Sequence, residues 1–300
     1  MASIMRHLCN GLRANTFIRK PVTAICRRGL MVVKDQEFTF EYLEGDNEGI
    51  AVCSFNRPKA KNSINRNLRD QFQKSLDELL YAKNIRVAVI RSTVPGVFCA
   101  GADLKERLNM PQTEVASFVN SLRKLSLDLA ELPVATIAAI DGFAVGGGFE
   151  LALCCDMRVA ARTAKMGLVE TKLAIIPGAG GTQRLSRIVG PSKAKELIFT
   201  GRVMDGEEAH DIGAVNQVVD QNDAGDAAYA AALKLAEQII PNGPVALKMA
   251  KLAINKGIEV DIATGLTFEQ ACYAQIIPTK DRMEGLLAFK EKRTPHYKGE

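Results

Sequence analysis

Two short, strongly apolar segments constrain the fold of this chain more than any other feature. They are RVAVIRS at 86–92 and VATIAAI at 134–140. Such runs, which lack a polar face, are typical of parallel strands that are covered on both sides. Residues 115–132 between them have helical spacing, and Pro133 ends that helix. A buried strand, a crossing helix and a second buried strand predict an α/β fold.

The preceding segments extend this alternation. EFTFEYL at 37–43 and IAVCSF at 50–55 flank the turn residues GDNEG, and together they predict a β-hairpin. Apolar residues then recur at helical spacing from 68 to about 81. The predicted order of elements is therefore β, β, α, β, α, β.

The pattern changes in the last third of the chain. From about 191 onward it is almost wholly helical, and only NQVVD at 216–220 has an extended pattern. With 47% hydrophobic residues, the chain has enough apolar side chain for a sizeable core. We therefore predict a core domain at 34–225 and an appended helical module at 226–300.

The positive charge of the chain is concentrated at its N-terminus. Residues 1–34 contain seven Lys and Arg and no acidic residue, and the whole chain has a net charge of +5. The remaining 32 basic and 34 acidic residues leave a net charge of −2, which gives no bulk case for nucleic-acid binding. An Arg-rich, acid-free start predicts a mitochondrial transit peptide over 1–33 and a location in the mitochondrial matrix. The alternative is a disordered basic arm.

The rarer reactive side chains direct attention to carboxylates. The three histidines, His7, His210 and His296, are far apart in the sequence, which leaves little material for a zinc site or a His-based triad. The seven cysteines show no CxxC spacing and are predicted to be reduced thiols. We expect Asp or Glu to be the catalytic groups, and we predict no metal. No apolar stretch reaches the ~18 residues of a membrane span.

Two glycine-containing loops follow the two buried strands. The first is VFCAGADL at 97–104, and the second is DGFAVGGGFEL at 141–151, whose glycine turn opens a short apolar helix. Free N–H groups at a helix start, placed beside those of the first loop, could form a two-donor oxyanion hole. Neither a GxGxxG fingerprint nor a GxxxxGK[ST] loop is present, so a nucleotide site is disfavoured. Close packing of strand and helix is the structural alternative.

Two glutamates lie in apolar surroundings. Glu150 stands between Phe149 and Leu151 in the short helix, where a buried charge is costly unless it is paired or used. Glu170 begins the apolar part of a third loop at 165–185. Two carboxylates beside a polarising backbone site favour acid–base chemistry through an enolate, without a redox cofactor. The alternatives are a structural ion pair for Glu150 and a surface pair with Lys172 or Arg184 for Glu170.

The three loops together resemble the crotonase, or enoyl-CoA hydratase, superfamily over about residues 37–300. The motifs that carry this resemblance, in order, are FCAGADLKE, GFAVGGGFELALCCD and GLVETKLAIIPGAGGTQRL. The resemblance implies oxyanion donors at the backbone N–H groups of Ala100 and Gly147, and acid–base roles for Glu150 and Glu170. Retention of both glutamates favours a hydratase over the isomerases of the family.

The resemblance also implies a fold and an assembly. The expected fold is a spiral of repeated ββα units with a C-terminal helical module that trimerises, as a homotrimer or a dimer of trimers. Coenzyme A is expected to arrive as part of the acyl-CoA substrate, with no further cofactor. The positions expected to bind the substrate are Arg57, Lys59, Lys61, Gly101, Ala102, Asp103, Leu104, Gly146, Phe289 and Lys292. Phe289 and Lys292 match positions that a neighbouring subunit can supply.

Segments outside these loops resemble a subgroup with a particular substrate. LKER, KLAIN, ACYAQ, IPTKD and the terminal YKGE are most similar to members that hydrate 3-methylglutaconyl-CoA to 3-hydroxy-3-methylglutaryl-CoA in leucine degradation. The alternative is a general short-chain hydratase of fatty-acid β-oxidation. A dicarboxylic acyl group needs a cation near its distal end. The candidates are Lys105, Arg107 and Lys172.

A function of another class, RNA binding, is suggested by one helix. A relative in the family binds AU-rich RNA through a lysine-rich helix that matches residues 61–75, in which Asp70 interrupts the basic side. Because electrostatic binding scales with the phosphates neutralised, only weak, salt-sensitive affinity is expected. The alternative is an ordinary solvated face. The candidate RNA-binding residues are Lys61, Arg66, Arg69 and Lys74.

Overall fold

The computed structural model describes residues 36–300, and the predicted transit peptide at 1–33 lies outside the described residues. This part of the chain contains ten strands and eleven α-helices. The strands are β1 Phe38–Tyr42, β2 Ile50–Phe55, β3 Val87–Ser92, β4 Val97–Cys99, β5 Ala135–Ile140, β6 Phe143–Val145, β7 Met157–Ala161, β8 Lys165–Gly167, β9 Met204–Asp205 and β10 Gln217–Val219. The helices are α1 Arg66–Tyr81, α2 Leu104–Leu108, α3 Gln112–Ala130, α4 Gly147–Cys154, α5 Gly181–Val189, α6 Pro191–Thr200, α7 Gly206–Asp211, α8 Ala227–Ile239, α9 Pro244–Gly257, α10 Ile262–Ile276 and α11 Lys280–Glu291.

The strands form two sheets. The larger sheet has the order β1-β2-β3-β5-β7-β10, in which the β1–β2 hairpin is antiparallel and all other pairs are parallel. The smaller sheet has the order β4-β6-β8-β9. Each of β3, β5 and β7 continues after a short turn into β4, β6 or β8 of the smaller sheet. This repetition of two strands followed by helices confirms the predicted spiral of ββα units.

Both faces of the larger sheet are buried, which explains why its strands are so apolar. Alternate residues such as Ala88 and Ile90 of β3 face a large core that also contains buried side chains of α1 and α3. The intervening residues Val87 and Val89 face a second cluster with α8. In α8 the residues at the contact are Ala228, Ala232 and Ala236, and these small side chains allow the helix to approach the sheet closely.

The strands predicted for the larger sheet are confirmed, but the prediction lacks β7 of that sheet and the whole smaller sheet. The hairpin, α1, β3, β5 and β10 occur where they were expected, and α3 begins three residues earlier than predicted. Strand β7 and the strands of the smaller sheet were not predicted. Strands β4, β6 and β8 have three residues each, so they are too short to show a period of two.

The C-terminal helices differ in how much of their surface the chain covers. Helix α8 packs on the sheet, although it begins directly after the domain boundary proposed at 225, and that boundary remains a prediction. Helix α9 has no buried residue and α10 buries only Cys272. No helix within residues 36–300 is long and apolar enough to cross a membrane. The five cysteines in this part are buried free thiols.

Candidate active site

The first two loops meet because the strands before them are neighbours. Strands β4 and β6 are parallel and adjacent, so the loop at 100–103 lies beside the glycine turn that begins with Gly146. A Cβ on Gly101 would lie 2.9 Å from the carbonyl oxygen of Val145 and 3.2 Å from the backbone nitrogen of Gly147. Only glycine permits this approach. The backbones of the two loops are therefore in contact.

Two backbone N–H groups at this contact, those of Ala102 and Gly147, have no hydrogen-bond acceptor among residues 36–300. Gly147 is the first residue of α4, so its N–H lies at the positive end of the helix dipole. A Cβ on Gly147 would lie 3.7 Å from the nitrogen of Ala102, which makes the two donors neighbours. Such a pair can stabilise an oxygen that carries negative charge.

The prediction that Ala100 supplies the first donor is wrong. Its N–H already donates to the carbonyl oxygen of Lys61 at 3.1 Å, so it is not available to a ligand. The free donor on this loop that neighbours Gly147 belongs to Ala102, two residues further on. Gly101 between them has φ +86°, so the chain changes direction there. The sequence suggested Ala102 as a binding position, but the contact with Lys61 has no local signal.

Glu150 is buried at 3% exposure, and its carboxylate is held by backbone donors. One oxygen, Oε1, accepts hydrogen bonds from the N–H groups of Ala179 and Gly181, each at 2.8 Å. Gly181 is the first residue of α5, so this carboxylate also lies at a helix N-terminus. Burial raises the pKa of Glu150, and the two N–H donors and the nearby Arg184 act against that rise.

Glu170 is buried at 9% exposure, and the backbone N–H groups near it do not offset the effect of burial on its pKa. It begins a 3-10 turn, Glu170–Leu173, after β8, and its Oε2 has no hydrogen-bond partner among the described residues. Burial, and then the charge of Glu150, raise the pKa of Glu170 to about 7. The surface pair with Lys172 or Arg184 does not form. A Cβ on Gly146 would lie 3.3 Å from Oε1 of Glu170, which places this carboxyl beside the glycine turn.

The arrangement combines three chemical functions in one place. A well-supported carboxylate can accept a proton, a carboxyl with a raised pKa can donate one near neutral pH, and two free N–H groups can hold an oxyanion. Glu150 forms no direct ion pair with any residue of 36–300, so the structural ion pair considered as the alternative is not found there. Within residues 36–300, no cluster of three or more His, Cys, Asp or Glu side chains is arranged to hold a metal ion.

The residues predicted to bind coenzyme A fall into two groups. Gly101, Ala102 and Gly146 lie at the site. Arg57 forms ion pairs with Glu37 and Asp103, both at 2.7 Å, so much of its charge is already compensated. Asp103, the partner of Arg57, is buried and caps α2. The other predicted positions are at the surface: the side chains of Lys59, Lys61 and Leu104 are exposed, Phe289 is 87% exposed at the end of α11, and Lys292 ends that helix.

The helix suggested for RNA binding presents a weak basic surface. Arg66 pairs with Glu106 and Glu114, and Arg69 pairs with Asp70. Lys61 and Lys74 are exposed. Because two of the four cations are paired with carboxylates, this surface does not favour RNA binding.

Comparisons with known proteins identify the family of the chain. Residues 45–300 match the family model described as enoyl-CoA hydratase/isomerase. Methylglutaconyl-CoA hydratase, mitochondrial, from Homo sapiens is 60% identical over 266 residues, which are 89% of this chain and 78% of the relative. Enoyl-CoA hydratase domain-containing protein 2, mitochondrial, from Mus musculus is 52% identical over 263 residues, covering 88% of this chain and 89% of the relative.

A similar crystal structure is that of an enoyl-CoA hydratase from Bacillus anthracis. It has a TM-score of 0.84 and 46% sequence identity, and the match covers 88% of this chain and 100% of the other.

Proposed function

The chain belongs to the enoyl-CoA hydratase/isomerase family, and we propose that it is a hydro-lyase that hydrates 3-methylglutaconyl-CoA to 3-hydroxy-3-methylglutaryl-CoA. The observation that carries this proposal is that two buried glutamates, Glu150 and Glu170, lie beside two free N–H groups and differ in their surroundings. Identity of about 60% to relatives named methylglutaconyl-CoA hydratase supports the choice of substrate.

We infer the proton transfers from the unequal surroundings of the two glutamates. The Glu150 carboxylate removes a proton from water, and the water oxygen bonds to C3 of the enoyl group. The π electrons move towards the thioester, whose oxygen becomes negative and is held by the N–H groups of Ala102 and Gly147. Glu170 then donates its proton to C2, the thioester carbonyl reforms, and one water has been added. No further cofactor takes part in this scheme.

The assembly and the location are also proposals. Helices α9 to α11 expose a run of large apolar side chains: Leu252, Ile254, Ile258, Ile262, Leu266, Phe268, Tyr273, Ile277, Leu286, Leu287 and Phe289. We propose that other copies of the chain cover this surface in a trimer or a dimer of trimers. Relatives named as mitochondrial, together with the basic segment at 1–33, support a mitochondrial protein, and we place it in the matrix.

Three cations were candidates for the distal carboxylate of the substrate. None of them forms an ion pair in the described part of the chain. Arg107 is half-buried on α2, directly after the loop at 100–103 that carries the Ala102 donor (the oxyanion loop). Its guanidinium lies 5.5 Å from the ring centre of Phe118. Lys105 is exposed, and the aliphatic part of Lys172 packs against Gly201 at the end of α6. We therefore place the distal carboxylate at Arg107.

The experiment that tests the proposal is steady-state turnover by purified protein on 3-methylglutaconyl-CoA and on crotonyl-CoA. We expect a higher kcat/KM for the dicarboxylic substrate. Faster hydration of crotonyl-CoA would return the assignment to a general short-chain hydratase. Failure to hydrate either thioester would overturn the proposed reaction.

A further inference from the structure

We infer that Arg184 is a positioning residue for Glu150. It fixes the loop at 179–181, whose N–H groups bind the Glu150 carboxylate, and it supplies a compensating positive charge. The inference rests on the proposed function, because it assigns Glu150 the role of base. The sequence had offered Arg184 only as a surface partner for Glu170, and the structure places it elsewhere.

The first argument is the hydrogen-bond path from Arg184 to Glu150. The Nη1 group of Arg184 donates to the carbonyl oxygen of Ala179 at 3.1 Å, and the N–H of Ala179 donates to Glu150. The Nη2 group of Arg184 donates to the carbonyl oxygen of Ser126 in α3 at 3.4 Å. The guanidinium therefore ties the carboxylate-binding loop to a helix more than fifty residues earlier in the chain.

The second argument is that the loop leaves room for this guanidinium. Gly180, which follows Ala179, has φ +109°, and a Cβ there would lie 2.1 Å from Nη1 of Arg184. Any side chain at position 180 would displace the guanidinium or distort the loop. The same glycine precedes α5, whose first residue, Gly181, gives Glu150 its second N–H donor.

The third argument is the placement of the charge. Arg184 lies in the first turns of α5, where the helix dipole disfavours a cation. It is half-buried, and it forms no ion pair with a carboxylate within 36–300. The attraction between Arg184 and the Glu150 carboxylate lowers the pKa of Glu150, against the rise that burial causes. The attraction to the Glu150 carboxylate thus offsets the unfavourable position of the Arg184 cation near the start of α5.

Few other groups around Glu150 can titrate or carry charge. Glu170 faces it from the 3-10 turn, and Cys154 lies one turn further along α4. Burial raises the pKa of the Cys154 thiol to about 11, so it stays neutral near pH 7. Arg158, which also acts on Cys154, donates to backbone carbonyl oxygens beyond the far end of α4. Ser126 does not titrate. Changes near neutral pH therefore belong to the two glutamates.

The test compares Arg184→Gln, Arg184→Lys and Arg187→Gln through the pH dependence of kcat/KM. Arg187 lies three residues further along α5, is exposed, and pairs with Glu259, so it is a matched control. Since Glu150 must be ionised, loss of the cation should move the acid limb of Arg184→Gln to higher pH by about one unit. Arg184→Lys should keep the limb of the wild type but lose about tenfold in kcat through poorer positioning. Arg187→Gln should match the wild type in both.

Titration of Glu150 by ¹³C NMR in the same proteins gives a readout that does not depend on turnover. A wild-type protein that hydrates no enoyl thioester contradicts the proposed function, whereas a higher Glu150 pKa in Arg184→Gln still supports the pairing. An unchanged acid limb and an unchanged Glu150 titration in Arg184→Gln overturn the inference. If that variant does not fold, Arg184→Lys decides: a wild-type titration with lower kcat supports the inference, and wild-type kcat contradicts it.

Discussion

The two glutamates of the site have opposite surroundings, although both are buried. Glu150 accepts two backbone hydrogen bonds at a helix start, and a guanidinium lies close to it. Glu170 has an oxygen without a hydrogen-bond partner among residues 36–300, and the negative charge of Glu150 helps to raise its pKa. The same residue type is thereby prepared for two tasks, since the donors and the guanidinium offset part of the cost of charging Glu150, whereas burial and the neighbouring charge favour the neutral form of Glu170.

The largest effect is expected when each carboxylate is removed in turn, which tests whether both glutamates are needed for turnover. Glu150→Gln and Glu170→Gln should each lower kcat by roughly 10²–10⁴-fold, because each removes one proton transfer, while KM changes little. The double variant should lose little more than either single variant. Glu237→Gln, on the exposed side of α8, is the matched control. Full turnover by either site variant would contradict the assigned roles.

The oxyanion donors can be tested without changing a side chain. Replacing alanine by its α-hydroxy acid turns the N–H into an ester oxygen and deletes one donor. At position 102 we expect kcat to fall by about 10²–10³-fold, as for the loss of an oxyanion donor. At position 100 the same change removes only the bond to Lys61, so it should lower the free energy of unfolding by about 1 kcal/mol and spare kcat. The reverse result would restore Ala100 as the donor.

The comparison extends to the distal end of the substrate, where Arg107 follows the oxyanion loop and Lys172 belongs to the turn of Glu170. Arg107→Met should lower kcat/KM for 3-methylglutaconyl-CoA by roughly 1.5–3 kcal/mol, or about 10- to 150-fold, and spare crotonyl-CoA. Lys172→Met and Lys105→Met serve as controls. A selective loss in Lys172→Met instead would move the carboxylate to the other side of the site.

The smallest expected effect is on stability. Because the pKa of Glu170 in the folded protein is raised from 4.5 to about 7, the wild type should lose stability as the pH rises through this interval. Residue 170 cannot ionise in Glu170→Gln. At pH 8 the free energy of unfolding of this variant, measured by denaturant titration, should therefore exceed that of the wild type by on the order of 1 kcal/mol. Glu150→Gln should give a smaller gain, because two hydrogen bonds offset part of the cost of burying its charge. Equal effects in both variants would remove the distinction.

Some of this structure could be predicted from sequence, and the reasons are local. The buried strands β3 and β5 can be predicted from their apolar runs, and Glu150 can be recognised as unusual because it stands between Phe149 and Leu151. The donor at Ala102 depends on a contact between Ala100 and Lys61, which are 39 positions apart. The role of Arg184 depends on Gly180 and on a carbonyl of α3. Contacts of this kind leave no periodicity and no local motif, so only the folded chain reveals them.

The central claim, that the two carboxyls divide the roles of base and acid, is tested most directly by ¹³C NMR titration of both side chains in the unliganded wild type. The two groups are coupled, so the informative quantity is which carboxyl holds the proton near pH 7. The account predicts that Glu170 holds it, titrating at about 7, and that Glu150 ionises at lower pH. Protonation of Glu150 while Glu170 is ionised, or ordinary titration of both groups, would contradict the account.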